Sequence, residues 1–250
     1  MKIIQSKLLN KFVKINHGFT CRDGGVSREP YNSLNLALHV EDRVDDILQN
    51  HQLLSQTLNY NKKTLIHMKQ IHSNRVHIVT NNDNFHNPPT CDALITNRKN
   101  TPLMVMVADC SPILFYDSVK EVIAVAHAGR AGAFNNIIQN VMASFKDNFG
   151  SNEEDIHVSV GASIGSCCYE VGKGIYTEAK ELKLEYAIER RKDKYFLDIS
   201  AILLKQLLTC RVKKKNIEFS QECTCCLNKK YFSYRANGVT GRFAGVIELN

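Results

Sequence analysis

No stretch of about 18 apolar residues occurs in this chain, so no membrane span is expected. Met1–Asn16 mixes Lys and Ile but has neither an apolar signal core nor a small-residue cleavage site, which points to the cytoplasm. No G-x-G-x-x-G opens a helix after a strand, which argues against a dinucleotide site. Only five prolines are present and they are scattered. No repeat, linker or low-complexity segment appears, and the most loop-like stretch is Asn81–Thr90. One domain over residues 1–250 is expected. Tryptophan is absent, and no aromatic platform is interleaved with arginines as single-strand binding would need. The formal net charge is +7, but the lysines are dispersed and the densest run, Lys213–Lys215, reads as a solvated turn. Neither nucleic acid nor a membrane is therefore expected as a partner.

Cysteine, by contrast, is plentiful. Nine cysteines in a chain without a secretory leader are expected as thiols or ligands and not as a disulfide framework. Cys167-Cys168 and Cys223-Thr224-Cys225-Cys226 invite a metal reading. Adjacent cysteines on a strand point to opposite faces, so these clusters are expected to be packed or incidentally exposed thiols.

Hydrophobic periodicity gives a coarse set of elements. Ile15–Thr20, Thr64–Lys69, Arg75–Thr80, Leu103–Ala108, Ile113–Tyr116, Val122–Ala126, His157–Gly161 and Gly245–Leu249 read as strands. Asp42–Leu58, Asn135–Phe149, Gly172–Tyr186 and Ile199–Cys210 read as helices, the second ended by Gly150 and the last capped by Asp198. Leu103–Ala108 and Val122–Ala126 are nearly all apolar, as strands covered on both faces would be. Ile113–Tyr116 and Val122–Ala126 lie too close in sequence for a parallel crossover and must form an antiparallel hairpin. The expected fold is α+β, with mixed, largely antiparallel sheets packed against helices.

Two of these strands end on metal-competent side chains. Cys110 follows Leu103–Ala108 and His127 follows Val122–Ala126, while His72 sits at a turn between two further strands. Two histidines and a thiolate fill three positions of a tetrahedral zinc and leave the fourth open, which is the pattern of a catalytic site. Asp92 and Asp109 are candidates for orienting a histidine N–H or for moving a proton. Arg22-Asp23-Gly24-Gly25-Val26-Ser27 pairs a guanidinium with consecutive glycines, and Arg130 follows His127 closely; both suit an anion. Tyr169, Tyr234 and Arg235 are candidate pocket walls.

Taken in order, these segments resemble the YfiH family, long labelled laccase-domain or polyphenol oxidoreductase proteins and described as purine nucleoside phosphorylases. The resemblance runs through His17-Gly18-Phe19, the Arg22–Ser27 loop, Tyr31–Leu36, Gln70-Ile71-His72, Asp92–Thr96, Ala108–Pro112, Ala126–Gly129, Ile164–Val171, Cys223-Thr224, Phe232–Arg235 and Thr240–Arg242. It implies one zinc, or copper, on His72, Cys110 and His127. It also implies a YfiH-like fold, phosphorolysis of adenosine, inosine and methylthioadenosine, and adenosine deamination as a second activity. Arg22, Ser27, Asn35, Gln70, Arg130, Tyr169 and Arg235 become the candidate substrate-contacting residues, with His72, Cys110, His127, Asp92 and Asp109 as the candidate catalytic set. One departure stands out: the family's His-Ala-Gly-Trp-Arg-Gly reads His127-Ala128-Gly129-Arg130-Ala131-Gly132 here.

Two other chemistries use the same donors. Cys110 as nucleophile with His127 as base would make a cysteine hydrolase. A copper-dependent polyphenol oxidase would need a weak axial ligand, for which only Met68 and Met106 are nearby in sequence, and multicopper chemistry would need more histidines. Purine nucleoside and phosphate are the expected small-molecule partners of a monomer or small homo-oligomer.

Overall fold

The computed structural model describes residues 1–250. Its strands are β1 Ile3–Ile4, β2 Ile15–Thr20, β3 Val76–Ile78, β4 Ala93–Thr96, β5 Leu103–Val107, β6 Ser111–Asp117, β7 Val122–Ala128, β8 Ile156–Val160, β9 Glu170–Val171, β10 Ile188–Arg191, β11 Lys194–Leu197, β12 Ile217–Phe219 and β13 Phe243–Leu249. Its α-helices are α1 Val44–Leu58, α2 Arg130–Phe134, α3 Ile137–Phe149, α4 Lys173–Glu181, α5 Ile199–Thr209 and α6 Tyr234–Asn237. The strands form a four-stranded sheet in the order β1-β2-β13-β5, a six-stranded sheet β12-β8-β6-β7-β4-β3 and a small sheet β10-β11-β9. Pairing is antiparallel except for β3 with β4 and β8 with β12, so the architecture is α+β with mixed, mainly antiparallel sheets. No helix is long and apolar enough to cross a membrane.

The apolar strands owe their burial to four stacked layers. In β5, Leu103, Val105 and Val107 face the core between the two large sheets, while Met104 and Met106 face α1. In β7, Ile123 and Val125 join the inter-sheet core, while Val122, Ala124 and Ala126 pack beneath α3 and α5. Period-two alternation thus survives in strands that read as continuous apolar runs, because both faces are covered. His127 shares the parity of Ile123 and Val125 and continues their row to the sheet's edge, inside β7 instead of beyond it. β6 and β7 form the expected antiparallel hairpin, with Pro112 opposite His127.

Other expectations need correction. Thr64–Lys69 makes only isolated bridges, Ile66 to Leu103 and Lys69 to Thr90, and no strand. Helix α4 stops at Glu181, well short of Tyr186, and the segment before α3 forms the separate short helix α2. Asp198 does cap α5, its carboxylate accepting from the Ala201 N–H at 3.0 Å, and Gly150 ends α3 in the left-handed region.

Glu248, in β13, is 6 % exposed, and burial raises its carboxyl from 4.5 to about 7. Its ionised form opposes folding, so stability falls as pH rises from 4.5 to about 7. Glu248→Gln is expected to gain about 1–3 kcal/mol above pH 7 and nothing below 4.5, read from urea unfolding at the two pH values.

Candidate metal centre and its cavity

Cys110 lies in the turn that passes the chain from β5, in one sheet, to β6, in the other. His127 comes from β7 and is 3 % exposed. His72 comes from the loop before β3 and takes a left-handed conformation, φ 58°, that swings its ring toward the other two. The ligand atoms of the three side chains all lie within 4.8 Å of one another, with Cys110 Sγ 3.9 Å from His72 Nε2. The two rings meet edge to face at 4.7 Å. Gly129 runs so close behind them that a Cβ there would sit 2.9 Å from Cys110 Sγ and 3.1 Å from His72 Cδ2. These three donors could hold one metal ion.

Asp92 organises the group from below. It is fully buried, and its carboxylate accepts from His127 Nδ1 at 2.8 Å. It also accepts from the backbone N–H groups of Ile71, His72 and Ser73 at 3.3, 3.0 and 2.6 Å and from Ser73 Oγ at 2.6 Å. One side chain therefore fixes the tautomer of His127, leaving Nε2 to face the other donors, and shapes the turn that carries His72. Burial alone would raise the Asp92 carboxyl, but the bonds from His127 and Ser73 outweigh it and hold the group at about 2.

The shifts of Cys110 and His127 are opposite and favour a thiolate–imidazolium pair. Burial would raise the thiol, yet the His127 charge and the hydrogen bonds from His127 and His72 lower it to about 6. Burial would lower His127, yet the Cys110 thiolate and the Asp92 hydrogen bond raise it to about 9. Metal needs the thiolate and a neutral imidazole. Between pH 6 and 9 binding must therefore expel about one proton, from His127, and affinity is expected to rise about tenfold per pH unit until it flattens above 9. Calorimetric titration with zinc in buffers of different ionisation enthalpy reads that proton directly.

The donors open into a cavity of about 410 Å³, a size suited to a small molecule. Gln70, Asp109, Arg130, Tyr169, Tyr234 and Arg235 are among its lining residues. Gln70 also clamps the end of β5, donating to Met106 O at 2.7 Å and accepting from Met106 N at 3.0 Å. Asp109, at φ 92°, uses its carboxylate to accept from Thr224 Oγ1 at 2.6 Å and from the Arg235 N–H at 2.7 Å. Asp92 lies beneath the site with both oxygens engaged, whereas Asp109 faces the cavity and accepts one hydrogen bond on each oxygen.

Three residues expected to contact substrate lie elsewhere. Arg22 lines a separate groove, stacks over Phe232 and donates to Asn32 and to the Asn228 carbonyl. Its neighbouring Gly25 is required by close packing, since a Cβ there would sit 2.3 Å from Ser33 O. Ser27 is buried and accepts from Asn50, and Asn35 is a buried scaffold whose Oδ1 accepts from the Arg242 N–H at 2.9 Å. Two titratable cavity residues carry no predicted role, His39 and Arg242. Arg242 stood in the recognised Thr240-Gly241-Arg242 block without a role; His39, isolated between Leu38 and Val40, carries no signal.

The remaining clustered cysteines are expected to be packed or incidentally exposed thiols. Cys167, Cys168, Cys223 and Cys226 instead come together, with their sulfurs all within 4.8 Å. The opposite-face rule fails because both segments are turns and not strands. The C-x2-C spacing of Cys223 and Cys226 was the available signal.

Fold and donor set together define a family. Residues 16–250 match the family described as multi-copper polyphenol oxidoreductase laccase, and the chain belongs to it. Within it, the chain is of the YfiH type. It is 32% identical over 243 residues to "Purine nucleoside phosphorylase YlmD" of Bacillus subtilis, spanning 93% of this chain and 87% of that one. It is 33% identical over 230 residues to "Purine nucleoside phosphorylase YfiH" of Escherichia coli, spanning 91% of each. The crystal structure of a Bacillus licheniformis hypothetical protein YfiH superposes with a TM-score of 0.91 at 31% identity, covering 97% of this chain and 94% of that one. The crystal structure of YlmD from Geobacillus stearothermophilus gives 0.88 at 28% identity, covering 96% and 93%.

Proposed function

We propose that the chain is a zinc-dependent purine nucleoside phosphorylase of the cytoplasm, acting on adenosine, inosine and methylthioadenosine, with adenosine deamination as a side activity. The observation that carries the reading is the three-donor cluster at the base of a cavity lined by Arg130, Arg235 and Arg242, in a chain whose relatives are named purine nucleoside phosphorylases. His72, Cys110 and His127 would hold the ion, which supplies Lewis acidity toward an oxygen of phosphate or ribose when bound.

The chain's own residues account for the rest. In phosphorolysis a phosphate oxygen bonds to the anomeric carbon as the bond to the purine nitrogen breaks, and the base leaves with that electron pair. Positive charge builds on the ribose, so the phosphate must be held close and its own charge balanced. Arg242 is the best placed to do so: only one of its terminal nitrogens is occupied, by the Thr240 and Gly241 carbonyls. Arg130 adds charge from the start of α2, although it shares it with Glu178 at 2.7 Å. Tyr169, held under Arg235, and Tyr234 offer aromatic surface to the base. The test is adenosine turnover with and without phosphate in wild type and His72→Ala. Phosphate-dependent ribose 1-phosphate that vanishes in the variant supports the proposal; equal turnover by the two proteins overturns it.

One observation favours a second reading. Thiolate, imidazolium and Asp92 carboxylate are linked in the order a cysteine hydrolase uses, Cys110–His127–Asp92. Alkylation of Cys110 at a rate unaffected by chelators would support it, whereas protection of Cys110 by stoichiometric zinc speaks for phosphorolysis.

A further inference from the structure

The geometry points to a second metal site in this protein: Cys167, Cys168, Cys223 and Cys226 bind one Zn²⁺ as a closed four-thiolate centre that ties the loop leading to Tyr169, a cavity wall, to the loop whose Thr224 holds Asp109. The inference does not depend on the proposed reaction.

Four sulfurs lie mutually within 4.8 Å, with Cys226 Sγ 3.5 Å from Cys167 Sγ and 3.3 Å from Cys168 Sγ. A tetrahedral ion with metal–sulfur bonds of about 2.3 Å sets its sulfurs about 3.8 Å apart, so small rotations of these side chains complete the shell. An iron–sulfur cluster divides its four cysteines between two or more irons and needs them spread more widely. All-sulfur ligation favours zinc or other soft ions over magnesium or calcium, and four protein ligands leave no open position, which marks a structural site.

The surroundings suit bound thiolates. The Gly165 N–H donates to Cys223 Sγ at 3.2 Å, as second-layer amides do around metal-bound sulfur. A Cβ at Gly165 would crowd the cluster, meeting Cys167 Sγ at 3.2 Å and the Cys223 side chain at 3.4 Å. Four thiols give up four protons to bind one Zn²⁺, leaving a net charge of −2 beside the Arg235 guanidinium, which donates to the Cys168 carbonyl at 3.1 Å.

The site sits where a crosslink would matter. Cys168 precedes Tyr169, a wall of the cavity. Between Cys223 and Cys226, Thr224 donates to the Asp109 carboxylate beside Cys110. The two loops already touch through the bridge of Ser163 with Cys223, the Thr224 N–H donating to Ser163 O at 3.0 Å, and the Gly165–Cys223 contact, and the metal would lock this pairing.

The experiment uses full-length His72→Ala/Cys110→Ala protein, which lacks the first site, purified without chelators. About one zinc per chain, with an all-sulfur shell in X-ray absorption, is the expected result. Adding Cys226→Ser should remove that zinc and speed amide exchange across residues 165–169, while Cys225→Ser should leave it in place. No zinc in the double variant, zinc bound by nitrogen or oxygen, or native mass showing two hydrogens lost to a Cys226 disulfide would each overturn the inference. The absorption measurement decides the matter even if the Cys226→Ser protein does not fold.

Discussion

Cys110→Ala is expected to lose metal at the first site and, with it, about 10³-fold or more of phosphorolysis, the scale on which loss of one member of a catalytic unit is felt. His72→Ala should behave alike, and the double variant should be no worse than either, because the donors act as one unit. This variant alone does not distinguish a ligand from a nucleophile, so Cys110→His is the informative companion. Imidazole can replace a thiolate on zinc, and three histidines hold catalytic zinc elsewhere. If Cys110 is a ligand, the histidine variant retains zinc and measurable turnover. If Cys110 attacks substrate, it retains none. Zinc per chain by elemental analysis and ribose 1-phosphate formation are the two readings.

Asp92→Ala is expected to give the largest loss of stability in the molecule. It would leave the charged, buried His127 and four part-buried donors, three backbone N–H groups and the Ser73 hydroxyl, without their acceptor. Breaking a buried, paired charge in this way costs about 3–5 kcal/mol. Asp92→Asn keeps the volume but not the charge. It should fold better and still bind zinc about 10–100-fold more weakly, as loss of a carboxylate behind a ligating histidine does. The pH dependence follows from the lowered carboxyl. Its contribution is complete above the ordinary value of 3.8 and disappears as pH falls toward about 2. Urea unfolding of wild type and Asp92→Asn should therefore converge with acidification. A constant gap across that range would show that packing, and not charge, makes the difference.

Much of this was legible in the sequence where one physical rule dominated. The short spacing between β6 and β7 admits only a hairpin, and the apolar runs of β5 and β7 are covered on both faces as expected. Two of the three donors meet because Cys110 sits just before β6 and His127 near the end of its antiparallel neighbour β7. The rest was hidden for identifiable reasons. β4 has four residues, all buried, too few to display a period. The β10–β11 hairpin is mostly charged and half-exposed, so it carries no apolar signature. Arg22 beside paired glycines looks like an anion cradle, yet the glycine answers to the Ser33 carbonyl pressed against it. The four clustered cysteines were discounted by a rule for strands that does not hold on turns.

The β6–β7 hairpin has a bearing on how the chain assembles. Cys110 and His127 are 17 positions apart and become neighbours as soon as that local ribbon zips up. His72 arrives from a distant stretch, and it is brought in only when β4 has docked on β7 and Asp92 has captured its loop. An ion satisfied by all three side chains can thus be gripped only after both pieces have met. By mass action it would draw a wavering population toward the finished fold, so chelation during refolding should slow or lower recovery more than chelation of the native protein.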